Sequence, residues 1–160
     1  MVESNDTTPL SEDSGEEMTY GEFMLDCARA GDLEGVKEAL AEEVPVDFSD
    51  PELGNSALHN ASANGQTAMI ELLLQAGADI NLTNKSKNSA LHWACLTGQL
   101  EAVKLLCQER QGSQAAADTN LKNNFGRVPM EEALQSGRAD IAEFLAPLTK
   151  LEDDKLYSTI

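Results

Sequence analysis

Ser56-Ala57-Leu58-His59 and Ser89-Ala90-Leu91-His92 repeat one another at a distance of 33 residues. In each copy a glycine follows the leucine by seven places, at Gly65 and Gly98. Past each glycine runs an apolar pattern of helical period, Ile70, Leu73 and Leu74 in one copy and Val103, Leu106 and Cys107 in the other. Self-similarity at a fixed period of this length signals stacked units rather than a single globular core. Each unit reads as a helix, a glycine turn, a second helix and an extended loop.

The same frame slides over the rest of the chain. Met24, Cys27 and Gly31 precede Val36, Ala39 and Leu40, and Met130, Ala133 and Gly137 precede Ala142, Leu145 and Ala146. Four repeats result, with leucine-slot spacings of 34, 33 and 39. The wide last spacing marks an insertion around Gln111-Gly112-Ser113-Gln114-Ala115, and insertions in such arrays map to loops. Small residues three places after the leucine let neighbouring helices approach closely. The first repeat lacks the Ser-Ala-Leu-His start and the fourth has Arg127-Val128-Pro129-Met130-Glu131 in its place, so both read as caps. The 33-residue period with its Leu-His core is the ankyrin signature. The expected fold is therefore all-α, an ankyrin-repeat solenoid of four helix–turn–helix repeats with degenerate caps. Its expected bounds are residues 20–147, with an acidic disordered tail at 1–19 and a short C-terminal tail at 148–160.

Composition agrees with this. The chain has 160 residues, is 41% hydrophobic and only 4% aromatic. Such a core suits closely stacked short helices. No apolar run is long enough to span a membrane, and the acidic, polar start does not read as a secretory signal. The three cysteines, Cys27, Cys95 and Cys107, lack metal-type spacing and fall in apolar slots, so they read as buried, reduced thiols. A cytoplasmic home, with the nucleus as a second compartment, is the expectation. Net charge is −17. Residues 1–52 hold 16 acidic and 2 basic side chains, against 12 and 9 in the remainder. That bias argues against direct nucleic-acid binding and favours a basic partner. Ser14 lies in an acidic run that could direct phosphorylation.

No catalytic motif is present, and no metal or cofactor is expected. His59 and His92 follow the repeat leucine, where the imidazole is expected to bond the local turn and the adjacent repeat, with Ser56 and Ser89 supplying hydroxyls. Trp93 stands two places after the leucine, where the other repeats have Asp26, Asn60 and Glu132. That slot is polar in this chain, so it is expected to face the concave side, and a lone Trp there is a candidate hot spot. The loop tips, Asp50-Pro51-Glu52, Asn84-Lys85-Ser86-Lys87 and Lys122-Asn123-Asn124, run from acidic to basic. The expected contact surface comprises Asp26, Arg29, Asp50, Glu52, Asn60, Asn64, Trp93 and Glu132 on a monomer.

The stretch from Asn88 to Cys107, with its run Leu91-His92-Trp93-Ala94-Cys95, resembles the third-repeat region of the fungal Yar-type ankyrin family. Ala28-Arg29-Ala30-Gly31-Asp32-Leu33 and Lys122-Asn123-Asn124-Phe125-Gly126 are similar too, as are Glu131 and Ser136-Gly137. The likeness covers residues 25–145. It implies a dedicated chaperone that guards a newly made KH-type small-subunit ribosomal protein by binding its basic N-terminal region before assembly. The alternative is a small four-repeat regulator of the cyclin-dependent-kinase-inhibitor type, which has no need of an acidic N-terminal half.

Overall fold

A computed structural model describes residues 17–110 and 115–150. The expected tails at 1–19 and 148–160, Ser14 and the insertion around 111–115 lie largely outside the described residues. Eight helices follow one another there: α1 Tyr20–Ala30, α2 Leu33–Ala41, α3 Ala57–Ala63, α4 Thr67–Gln75, α5 Ala90–Thr97, α6 Leu100–Leu106, α7 Pro129–Gln135 and α8 Ala139–Leu145. They form four antiparallel pairs. The first helices pack in the row α1, α3, α5, α7 and the second helices in the row α2, α4, α6, α8. No strand forms among the described residues, and the loops make only isolated bridges, Ser49 to Ser56 and Thr83 to Ser89.

The repeat frame explains the burial. Ala57, Leu58, Ala61, Ala90, Leu91, Ala94 and Ala133 are buried along the first helices, and Val36, Ile70, Leu73, Leu74, Val103, Leu106, Ile141 and Leu145 along the second. A lone helix pair leaves these faces in water. Burying one Leu or Ile stabilises by about 1.5–3 kcal/mol, so stacking supplies what the short helices lack on their own. The turn between paired helices is left-handed at Gly31, Gly65, Gly98 and Gly137. At Gly98 the backbone has φ 81°, a left-handed conformation that a side chain with a Cβ rarely adopts, so the turn calls for glycine.

The two Ser-x-x-His starts are reciprocal caps. In each, the serine N–H donates to the histidine Nδ1 at 3.1 Å, and the serine hydroxyl lies 2.9 Å from the same nitrogen. Nδ1 therefore accepts, and Nε2 carries the proton. His59 Nε2 donates to Asn88 O at 2.9 Å and His92 Nε2 to Arg127 O at 3.0 Å, each reaching the loop of the next repeat. The expected dual role of these histidines is thus observed. The end repeats depart from it. Counting back from Gly31, buried Leu25 takes the histidine slot of the first repeat, and α1 starts a turn earlier on a Thr19–Glu22 capping box. In the fourth, Glu131 accepts the Val128 N–H at 2.9 Å.

Burial holds both imidazoles below their ordinary pKa, although the carbonyls of Asn88 and Arg127 oppose it. Above about pH 6.5 they are neutral both folded and unfolded, and the clamps contribute in full. Below that value the unfolded chain takes up protons that the folded chain refuses, so stability falls. We predict that His92→Ala lowers unfolding free energy by about 1–3 kcal/mol at neutral pH. In thermal melts between pH 7.5 and 5.5, this variant should lose less of its midpoint than the parent does. An equal loss in both would remove the histidine from the acid response.

Candidate functional site

The first helices present one row of side chains from their second slot and another from their fifth. The second-slot row is Asp26, Asn60, Trp93 and Glu132, and the fifth-slot row is Arg29, Ala63, Leu96 and Gln135. Asp26 and Arg29 are exposed and joined by an ion pair of 2.7 Å on one helix face. Such a pair contributes little to stability and stays open to a partner. Asn60 and Trp93 are half-buried, and Leu96 is exposed at 38%. The face therefore changes from charged on α1 to apolar on α5. Asn64, at the turn end of α3, is exposed and donates to Arg29 O at 3.3 Å. Trp93 Nε1 is buried and meets no acceptor, while Trp93 O accepts the Thr97 hydroxyl at 2.8 Å.

Two expected contact residues are turned inward. Glu132 is only 8% exposed. Its carboxylate accepts from Asn123 Nδ2 at 2.7 Å and lies 3.6 Å from the Arg127 guanidinium. Asp50 is half-buried and accepts three backbone N–H groups, those of Glu52 at 3.0 Å, Leu53 at 2.6 Å and Asn55 at 2.8 Å. Partial burial pushes its carboxyl up, but these donors outweigh it and hold the pKa below its ordinary value. Both residues had been expected at the surface on slot and loop position alone. The reason for the correction is local: a carboxylate beside unpaired N–H donors or an amide satisfies them before it faces a partner. Of the two carboxylates on the acidic tip, Glu52 is the exposed one.

Asp50 belongs to a series. Asn84 Oδ1 accepts from Ser86 and Asn88 N–H at 2.9 Å, and Asn123 Oδ1 accepts from Phe125 at 3.0 Å and Arg127 at 3.1 Å. Each of these residues folds one loop into a finger, and the fingers are tied together. Asn84 Nδ2 donates to Asn55 Oδ1 at 2.8 Å and Asn123 Nδ2 to Asn88 Oδ1 at 2.9 Å. The finger tips also carry exposed apolar side chains that sequence reasoning missed, Leu53 at 61% and Phe125 at 74%. The available signal was a large apolar residue directly before a loop glycine, Leu53-Gly54 and Phe125-Gly126.

A cleft of about 340 Å³ opens at the first repeat, lined by Glu17, Met18, Thr19, Tyr20, Glu42, Glu43 and Val44. Its walls are acidic and suit a cationic side chain. Among the described residues no group of three His, Cys, Asp or Glu side chains converges on a point. No described helix is long and apolar enough to cross a membrane. Cys27 and Cys95 are buried; Cys107, expected in the core, is half-buried because it caps the end of α6. Burial pushes all three thiols up, Cys107 to about 11 and Cys95 further, and the Asp32 charge adds to the rise at Cys27. High pKa and poor access disfavour nucleophilic chemistry.

Two outcomes follow. Asp50→Ala should destabilise by about 1–3 kcal/mol by orphaning loop donors, whereas Asp26→Ala should stay within about 0.5 kcal/mol, as read by urea unfolding. A thiol reagent should modify Cys107 of the native chain before Cys95, and simultaneous modification would refute the burial order. A sequence-family model described as ankyrin repeats in three copies matches residues 23–118 and again residues 69–155. Between them the two matches take in all four helix pairs, and the chain belongs to the ankyrin-repeat family, whose repeats serve as protein-binding modules.

Proposed function

We propose that this chain is a non-catalytic, dedicated chaperone that shields a basic segment of a newly made ribosomal protein, of the KH type and from the small subunit, before assembly. The observation that carries this reading is the charge of the first repeat. Glu22, Asp26 and Glu52 are exposed on or beside the inner face, and the Glu17, Glu42 and Glu43 cleft adjoins the start of α1. A client helix could lay basic side chains along α1 and α3 and reach Trp93 and Leu96 with an apolar one. Masking such a segment keeps it from RNA and from aggregation. The resemblance of residues 88–107 to the Yar-type family supports the same client. On this reading the chain works in the cytoplasm and follows its client toward the nucleus.

The test is titration of the purified chain against the client's basic N-terminal segment at two salt concentrations. Affinity should fall with salt, because exposed charges are screened beyond about 8 Å at physiological ionic strength. Asp26→Lys combined with Glu52→Lys should weaken binding without loss of helicity, since both side chains are exposed. Trp93→Ala should cost about 2 kcal/mol, mostly in the off-rate. Absence of binding at micromolar concentrations would turn the assignment toward a kinase-regulating ankyrin protein. Binding indifferent to salt and to both lysine substitutions would keep the client and refute this surface.

A further inference from the structure

The three fingers share a register that their lengths conceal. Each has a single left-handed residue, Gly54 at φ 74°, Lys87 at φ 58° and Gly126 at φ 71°. The residue before it is the tip, which aligns Leu53, Ser86 and Phe125 along one edge of the stack. Backbone hydrogen bonds link the fingers in sequence. Lys85 N–H donates to Leu53 O at 3.0 Å, and Asn124 N–H donates to Ser86 O at 3.0 Å. Leu53 and Phe125, the outer tips, are the two most exposed large apolar residues described. Between them lie exposed Lys85 and Lys87, the former bonded to Pro51 O.

Phe125 is also held in place. The Arg127 guanidinium sits 5.4 Å from its ring centroid. Arg127 is in turn steered by Glu132 at 3.6 Å, and Glu132 by Asn123 at 2.7 Å. Asn123 grips the backbone of both Phe125 and Arg127. An exposed aromatic beside a cation, on a finger whose backbone is held by Asn123, has the make-up of a binding anchor, because little backbone freedom remains to be lost on contact.

We propose that this finger edge is a second docking strip, taking an acidic protein segment that carries aliphatic side chains for Phe125 and Leu53. The sign of the partner follows from the exposed Lys85 and Lys87, which outnumber the exposed Glu52 of the first finger, the Arg127 charge being offset by Glu132. The net charge of −17 does not forbid it. At physiological ionic strength charges more than about 8 Å away are largely screened, so the local lysines decide. The outer tips are two repeats apart, about 20 Å at ordinary helix spacing, which an extended chain covers in about six residues. The strip adjoins the proposed client surface at Glu52, beside the Leu53 tip, but its partner has the opposite charge, so the two readings can fail separately.

The experiment uses the full chain and two labelled peptides, each with leucines about six residues apart, one with Asp and Glu between them and one with Lys. Fluorescence anisotropy should show saturable binding of the acidic peptide. Phe125→Ala, and separately Lys85→Glu with Lys87→Glu, should each weaken it at least about tenfold. Phe125→Leu should retain most of the affinity. Asp26→Lys should leave it unchanged while weakening the basic peptide, which separates failure of this strip from failure of the inner face. Circular dichroism shows whether each variant is folded. No saturable binding of the acidic peptide, or unchanged affinity in a folded Phe125→Ala chain, would overturn the proposal. So would concentration-dependent self-association abolished by Phe125→Ala, which would make a second copy the occupant.

Discussion

Each imidazole of His59 and His92 closes two structures at once. Nδ1 completes the N-terminus of its own helix, and Nε2 donates across to a carbonyl of the next repeat, Asn88 O or Arg127 O. The arrangement works only with a neutral ring in one tautomer, because one nitrogen must accept and the other donate. Burial enforces neutrality. The consequence is that local helix initiation and long-range stacking are coupled through one side chain. A helix of seven or eight residues is too short to persist alone, so it forms where its neighbour already supplies the partner.

The end repeats show what happens when this coupling is released. The first replaces the histidine with apolar Leu25 and lengthens its inner helix by a turn. The fourth keeps only a carboxylate, Glu131, which can satisfy its own helix start but donates nothing onward. The histidine clamps therefore join the second repeat to the third and the third to the fourth, and no histidine joins the first to the second. The two flanks of the array differ chemically, acidic at the first repeat and apolar with cations at the last two fingers.

That division matters for binding. An inner face running from Asp26 to Trp93 offers charge at one end and apolar area at the other, which favours an amphipathic segment in a defined direction. The fingers form a rigid edge because Asp50, Asn84 and Asn123 spend their side-chain oxygens on loop N–H groups. Rigidity there lowers the entropy lost on contact. Polar residues that look available in the sequence are thus divided into those that build the surface and those that form it.

The sequence by itself determined the periodicity. Leucine, alanine and glycine at fixed offsets dictate which faces are buried and where the turns fall, because those slots depend on local geometry repeated four times. The two histidine clamps were legible for the same reason, since Ser-x-x-His places donor and acceptor one turn apart. What only the tertiary structure decided is the fate of each polar side chain beyond its slot. Asp26 and Glu132 occupy the same slot, yet Asp26 faces water while Glu132 is drawn to Asn123 from a loop nine residues earlier. Asp50 lies on a tip but closes it. Phe125 stands outward because Arg127 and the network behind it fix the finger. Slot position sets where a side chain starts, and the nearest unsatisfied donor or acceptor, brought there by packing, sets where it ends.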